Sequence, residues 1–159
     1  MSIEGSGPIA IAAEHPVQPE IRAFFAASEA YMGLLYPAES NHFVDANALA
    51  LPNAVFLVAR RNGIAVGCGA LVHADDAFAE IKRMWVAPDL RGQRVGILLL
   101  DALIQAARTR GVECLCLETG ISQPEAIGLY RRVGFSECGP FGTYQLDPLS
   151  IFMELRLAI

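Results

Sequence analysis

In the middle of the chain, apolar residues follow a pattern typical of β-strands, and this pattern limits the possible folds more than any other feature. Residues 55–59 form a short apolar run with β-branched side chains, Asn62-Gly63 follows it, and residues 64–72 form a second run. An Asn-Gly pair between two such runs is the strongest short-range signal for a β-hairpin. Asp75-Asp76 predicts a second turn, and residues 80–86 predict a third strand of the same meander.

Helical periodicity lies on both sides of this meander. Pro19 begins a pattern of apolar residues three and four apart, and Pro37 ends it. The segment between Tyr36 and His42 is predicted to be a loop. Further helices are predicted over residues 43–51, 95–110 and 124–133, and strands over residues 9–13, 112–117, 135–138 and 151–157. This order predicts a mixed sheet with helices on its faces, in the α/β or α+β class.

The composition fits one domain over residues 1–159. Hydrophobic residues make up 53% of the chain and the mean hydropathy is +0.38, which indicates extensive burial and favours a homodimer. No apolar run reaches the ~18 residues of a membrane span, so no membrane partner is expected. Residues 8–13 lack a basic flank and predict a strand rather than a signal peptide, so we expect a cytoplasmic protein. The net charge of −5 argues against a nucleic-acid partner.

The cysteines and histidines give no metal-binding pattern. The four cysteines include no C-x₂-C pair, and without a secretion signal they are expected to be reduced, buried thiols. The three histidines are far apart in sequence and form no ligand spacing. We therefore expect no metal. These residues are Cys68, Cys114, Cys116, Cys138, His15, His42 and His73.

The segment between the third meander strand and the next helix has the features of an anion-binding turn. A turn at this place presents several backbone N–H groups together with the positive end of the helix dipole. Gly92 and Gly96 permit close backbone approach, and Arg91 and Arg94 add positive charge. The combination suits a pyrophosphate. It is not a Walker loop, because no Gly-Lys-Ser/Thr follows, and its spacing differs from the dinucleotide G-x-G-x-x-G.

Two sequence blocks resemble the GNAT superfamily of N-acetyltransferases. The first, residues 91–96, is similar to the family's [Q/R]-x-x-G-x-[G/A] at Arg91 and Gly96 and departs from it at Arg94, where the family usually has Gly. The second, residues 123–135, is similar to N-x-x-A-x-x-L-Y-x-x-x-G-F, with Gln123 where Asn is common. The resemblance covers about residues 54–138. It implies a mostly antiparallel sheet of about seven strands with helices on both faces.

The resemblance also implies acetyl-coenzyme A as co-substrate. In this family the turn's amides hold the pyrophosphate, and the pantetheine arm enters between two splayed parallel strands, here residues 80–86 and 112–117. By that match, the residues expected to bind the cofactor are Met84, Trp85, Val86, Arg91, Gly92, Gln93, Arg94, Val95, Gly96, Gln123, Ala126 and Tyr130.

The implied reaction is direct attack of an amine on a thioester, which needs a base for the ammonium and an acid for the departing thiolate. Tyr130 matches the family's usual acid, although a tyrosine there also fits a core position. Glu80 is the candidate base, directly or through a water, because a subset of the family carries a catalytic Glu there. Glu80 could instead be a strand residue paired with Lys82. Glu118 and water itself remain alternatives for the base.

The acceptor is expected to be a small-molecule or peptide-like amine. Several candidate residues in the loops at the sheet's edge are acidic or accept hydrogen bonds, which favours a cationic amine. Residues 139–144 are rich in turn formers and predict an acceptor-side lid. A non-catalytic acyl-coenzyme A sensor or assembly module and a protein-modifying acetyltransferase are the alternatives. The candidate acceptor residues are Tyr36, Glu39, Asn41, His42, Glu118, Tyr144 and Asp147.

Overall fold

A computed structural model describes residues 7–74 and 78–157, which form one seven-stranded sheet with helices packed against it. The predicted mixed fold is confirmed. The strands are β1 (Ile9–Ala13), β2 (Ala54–Arg61), β3 (Ile64–His73), β4 (Phe78–Val86), β5 (Cys114–Gly120), β6 (Ser136–Cys138) and β7 (Ser150–Arg156). The α-helices are α1 (Pro19–Leu35), α2 (Val95–Thr109) and α3 (Pro124–Val133). None of these helices is both long and apolar enough to cross a bilayer.

The strand order in the sheet is β1-β2-β3-β4-β5-β7-β6. β1 to β4 form an antiparallel meander, β4 and β5 are parallel, and β7 pairs antiparallel with both β5 and β6. The predicted Asn62-Gly63 hairpin is confirmed, with φ of 53° and 80° at the two residues, as a type I′ turn requires. The turn predicted at Asp75-Asp76 lies outside the described residues.

The two faces of β2 show how the sheet is covered. Leu57 and Ala59 pack in the core beneath α2, whereas Phe56 and Val58 belong to the second core beneath α1. Because successive strand residues point to opposite faces, one strand contributes to both cores. The predicted helices on both faces are therefore confirmed.

α2 lies close against β3 because β3 carries glycines beneath it. A Cβ on Gly67 would lie 2.9 Å from Leu99 Cδ1 on α2 and 2.9 Å from the Trp85 carbonyl oxygen. A Cβ on Gly69 would lie 2.9 Å from Leu103 Cδ1. The missing side chains let the helix pack on the sheet, with its first turn just beyond the end of β4.

The helix predicted over residues 43–51 is wrong, because the structure has only a 3₁₀ turn there, Ala48–Ala50. The Asp45 carboxylate accepts the Ala48 N–H at 2.9 Å, and Arg83 binds the Val44 carbonyl oxygen at 2.8 Å. These two bonds take the place of helical hydrogen bonds. Short polar side chains such as that of Asp45 often compete with helix formation in this way.

Two strands also begin later than predicted, because the residues in front of them cap helices. The Val112 N–H binds the Ala107 carbonyl, and the Phe135 N–H binds the Tyr130 carbonyl, each at 3.0 Å. Gly111 and Gly134 have φ of 75° and 118°, which is typical of helix C-termini.

Candidate active site

β4 and β5 pair over only part of their length. Their parallel register runs from Phe78–Cys114 to Ile81–Leu117 and stops there, although β4 continues to Val86 and β5 to Gly120. Residues 82–86 of β4 therefore have no backbone partner from β5. A register shift against β3 and a φ of 59° at Arg83 redirect β4 at the same place. The sheet thus opens where the sequence resemblance expects splayed strands.

A cavity, here called the inner cavity, lies at this opening. It is lined from α1, from the loop before β2, from β4 and β5, and from α3. Its lining brings together residues that the sequence assigned to different roles: Tyr36, Asn41, His42, Glu80, Met84, Glu118, Gln123 and Tyr130. Catalytic, cofactor and acceptor candidates therefore meet at one place.

A second depression, here called the outer groove, adjoins the inner cavity. Both are lined by His42, Glu80 and Lys82. The outer groove continues past Glu39 and the loop before β7, and it is lined by Phe43, Val72, Phe78, Phe141, Tyr144 and Asp147. The inner cavity and the outer groove together form a path that passes the Glu80 side chain.

Glu80 belongs to a hydrogen-bonded cluster of three side chains. Tyr144 donates its hydroxyl hydrogen to Glu80 Oε2 at 2.5 Å, and Lys82 Nζ lies 2.6 Å from the Tyr144 oxygen and 3.2 Å from Glu80 Oε2. Burial, with the adjoining Glu80 carboxylate, raises the pKa of Tyr144, so this phenol stays a hydrogen-bond donor at neutral pH. The side chains of Glu80 and Lys82 are only 15% and 12% exposed.

Glu118 forms a second cluster next to the first. His42 Nδ1 lies 3.1 and 3.2 Å from the two carboxylate oxygens, and the Ser150 hydroxyl donates to Oε2 at 2.8 Å. The His42 ring also stands edge-on to Tyr144, with centroids 5.2 Å apart. Two carboxylates, each with a titratable neighbour, therefore face the same path.

Tyr130 lies on α3 and lines the inner cavity. It is 7% exposed, its ring packs edge-on against Phe135, and burial raises its pKa to about 12. A phenol in this state is protonated at neutral pH and available to a ligand.

The turn between β4 and α2 contains two residues in the left-handed region and leads into a helix without a side-chain cap. Gly92 and Arg94 have φ of 83° and 70°, and no side chain caps the N-terminus of α2. The first N–H groups of the helix are thus left for a ligand or for water. Gly96 faces α3, because a Cβ there would lie 3.2 Å from Leu129 Cδ2. Val95 is buried beneath the turn and anchors it.

Arginines flank this turn on two sides. Arg91 packs over Trp85 at 4.6 Å and donates from Nε to the Val86 carbonyl oxygen at 3.2 Å. Arg61, only 8% exposed at the end of β2, donates to Gln93 Oε1 at 2.9 Å. Positive charge therefore lies beside and beneath the turn.

Some predicted residues make structural contacts. The Tyr36 hydroxyl donates to Gln123 Oε1 and accepts the Ser122 N–H, each at 3.1 Å, and it lies where a Cβ of Gly120 would be. Trp85 is buried in the second core, beneath α1. Ala126 is half-buried and packs against the core beneath α2. Tyr36 thus ties the end of α1 to the segment that leads into α3.

A family model for the acetyltransferase (GNAT) family matches residues 21–135. The chain belongs to this family. The acetyltransferase is 47% identical over 150 residues to an IAA acetyltransferase of Azospirillum brasilense, and this match covers 94% of the chain and 98% of that protein. It is also 34% identical to the aminoalkylphosphonate N-acetyltransferase of Salmonella typhimurium over 54% of the chain and 59% of that protein. It is an acyltransferase, and its family uses acetyl-coenzyme A as co-substrate.

Solved structures show the same fold. A Klebsiella pneumoniae protein, described as an acyl-CoA N-acyltransferase, is 38% identical and superposes with a TM-score of 0.81 over 94% of the acetyltransferase and 98% of that chain. A GNAT acetyltransferase of Elizabethkingia anophelis, crystallised with acetyl-CoA bound, shares the fold at 20% identity with a TM-score of 0.71, over 94% and 98% of the two chains.

Three basic residues around the inner cavity and the turn before α2 were not assigned to a site from the sequence. The sequence predicted Lys82 only as a possible partner of Glu80, and it gave no sign that Arg61 would lie beneath the turn. Arg83 is 5% exposed, stacks over Phe25 at 4.1 Å and pairs with Glu29 at 2.8 Å. Its bond to Val44 fixes the loop that lines the inner cavity. The strand period places Lys82 on the same face as Glu80, so alternation could have found it.

Proposed function

We propose that the protein transfers the acetyl group of acetyl-coenzyme A to a primary amine of a small-molecule or peptide-like acceptor by direct attack. The observation that carries this proposal is the inner cavity, where the unpaired end of β4, Tyr130 and the carboxylates of Glu80 and Glu118 meet. The acceptor reaches Glu80 through the outer groove, and the cofactor enters from the turn before α2.

The turn before α2 supplies the cofactor site. The backbone N–H groups of residues 92–96 and the helix dipole attract the pyrophosphate. Arg91 and Arg94 add charge beside it, and Gln93 is fixed from below by Arg61. The edge of Met84 to Val86 that β5 leaves open then accepts the pantetheine arm as a sheet accepts an added strand, while Gln123 and Ala126 face it from α3.

Glu80 is the proposed base. An acceptor ammonium gives one proton to the Glu80 carboxylate, directly or through a water, and the neutral nitrogen attacks the thioester carbonyl carbon. Tyr144 and Lys82 hold Glu80 in place by the bonds described above. Glu118 is the second candidate, since His42 and Ser150 orient it beside the same path.

Tyr130 is the proposed acid. As the new C–N bond forms and the C–S bond breaks, the phenol gives its proton to the departing thiolate and regains one from the attacking nitrogen. The products are the N-acetylated amine, coenzyme A thiol and one released proton. Because burial raises the pKa of Tyr130 to about 12, the phenol keeps its proton throughout the neutral range.

The test is Tyr130→Phe, assayed by thiol release from acetyl-coenzyme A against a panel of primary amines. We expect kcat to fall by about 10- to 10⁴-fold, the usual contribution of acid–base catalysis. Calorimetry should show that Tyr130→Phe binds acetyl-coenzyme A as the wild type does. An unchanged kcat would remove Tyr130 from the mechanism. Tight cofactor binding by the wild type without thiol release for any amine would favour the sensor function.

A further inference from the structure

The side chains that line the outer groove indicate the chemical class of the acceptor, which family membership alone does not give. Aromatic rings line its inner wall: Phe141 packs edge-on against Phe78 at 6.0 Å and against Tyr144 at 5.2 Å. Tyr144 packs in turn against buried Phe152, with ring centroids 5.6 Å apart. The rings are therefore fixed in one arrangement, with Phe78, Phe141 and Tyr144 half-buried at the groove surface.

Other apolar side chains line the same groove. Phe43 lines the groove together with the aliphatic side chains of Val44 and Val72, and its side chain is 42% exposed. A partly exposed ring that faces a concave apolar surface gains most when a ligand covers it. The groove is thus shaped for a body with an extended apolar surface.

Charge in the groove is arranged along its length. Glu80 lies where the outer groove meets the inner cavity, and the carboxylates of Glu39 and Asp147 also line the groove. Asp147 accepts the Leu149 N–H at 2.9 Å, which lowers its pKa and keeps it ionised. Lys82 also lines the groove, and its ammonium is already bound to Glu80 and Tyr144. The groove therefore favours a ligand with a positive charge and disfavours a free carboxylate.

We propose that the acceptor is a primary amine carried on an aromatic or bulky apolar body. This inference rests on the proposed function. The body lies between Phe141 and Phe43, and the amino group is directed at Glu80. The transfer gives the N-acetylated arylalkyl or branched alkyl amine, coenzyme A thiol and one proton, as in the reaction above.

The first test compares three amines by thiol release from acetyl-coenzyme A: 2-phenylethylamine, ethylamine and spermidine. We expect kcat/KM for 2-phenylethylamine to exceed that for ethylamine by about 10- to 100-fold, since the phenyl ring is buried. A kcat/KM for spermidine above that for 2-phenylethylamine would overturn the inference and indicate a polycation site. Equal values for 2-phenylethylamine and ethylamine would overturn it too.

Variants of the groove wall then test which residues make the enzyme prefer 2-phenylethylamine to ethylamine. Phe141→Ala and Phe43→Ala should each lower the ratio of the 2-phenylethylamine to ethylamine kcat/KM by at least about threefold, and Phe141→Leu should restore part of it. A disturbance transmitted through Tyr144 to Glu80 would lower both rates together and leave the ratio unchanged, which would count against the inference. Leu34→Ala, an 85% exposed apolar residue on α1 outside the groove, is the matched control.

The outcomes separate this inference from the proposed function. If acetyl-coenzyme A binds and no amine releases thiol, the proposed function fails. If ethylamine or spermidine releases thiol without any advantage for 2-phenylethylamine, the acetyltransferase reaction stands and only the inference about the acceptor fails.

Discussion

Arg94 has a backbone conformation that L-residues rarely adopt. Its φ is 70°, and it stands at the position where related turns usually have Gly. We expect Arg94→Gly to raise the free energy of unfolding by about 1 kcal/mol and the Tm by about 2–4 °C, because glycine relieves this strain. Calorimetric melting without cofactor measures the change.

The matched control is Arg91→Gly. Arg91 lies three residues earlier with an ordinary φ of −67°, so glycine there relieves no strain. It lowers stability through the entropy of the unfolded chain and through the loss of the contacts with Val86 and Trp85. Equal shifts in both variants would show that the charge, and not the backbone, sets the stability of the turn.

Glu80 and Glu118 compete for the role of base, and pH separates them. Glu80→Gln should lower kcat/KM by about 10²- to 10⁴-fold at neutral pH, where the acceptor is an ammonium, and by less as the pH approaches the acceptor's pKa. Full pH–rate profiles of Glu80→Gln, Glu118→Gln and the exposed control Glu113→Gln make the comparison. If only Glu118→Gln shows the pH-dependent loss, the base is Glu118.

The contact between α2 and β3 decides where the turn before α2 lies. At Gly67 a methyl group would meet the Trp85 carbonyl, a backbone atom that has little room to move. We expect Gly67→Ala to lower the free energy of unfolding by about 1–3 kcal/mol in urea denaturation, as overpacking usually does.

Gly128→Ala is the matched control for this contact. Gly128 lies within α3, with no atom within 4 Å of an added Cβ, so alanine there should raise stability by about 0.5–1 kcal/mol through helix propensity. A stable Gly67→Ala would mean that α2 and β3 separate more easily than their packing indicates.

One charged cluster joins four elements of the molecule. Arg60 on β2 binds Glu14 after β1 with two bonds of 2.9 Å and Glu20 on α1 at 3.0 Å, while Glu20 also accepts the Ala65 N–H on β3 at 3.1 Å. The Arg60 guanidinium lowers the pKa of Glu14, and the Ala65 N–H, with Arg60, lowers that of Glu20. The cluster therefore strengthens the first half of the fold only while both carboxyls are ionised.

The pH dependence of stability follows from these lowered pKa values. The contribution is fully present above the ordinary carboxyl pKa of 4.5 and is lost as the pH falls through the lower folded value. Glu14→Gln should thus cost about 0.5–1 kcal/mol at pH 7 and almost nothing in strong acid, as measured by urea denaturation at several pH values. Glu137→Gln, in a pair 59% exposed on both sides, is the control; a Glu14→Gln deficit independent of pH would contradict this account.

The site was predictable from the sequence to the extent that its parts are local. The turn at residues 91–96, the helix that carries Tyr130 and the strand that carries Glu80 all lie where the sequence predicted them. The links between side chains were not predictable. Tyr144 bonds to Glu80 across 64 residues and His42 meets Glu118 across 76, and no short-range signal encodes such pairs.

The hairpin at Asn62-Gly63 and the helices that end at Gly111 and Gly134 followed from the sequence alone, because each depends on backbone preferences of adjacent residues. The absence of a long helix over residues 43–51 and the separation of β4 from β5 after Ile81 arose only in the folded chain. Those outcomes depend on which distant groups take the backbone hydrogen bonds. Arg83 binding the Val44 carbonyl is the clearest instance, since its free energy arises only once the chain has folded.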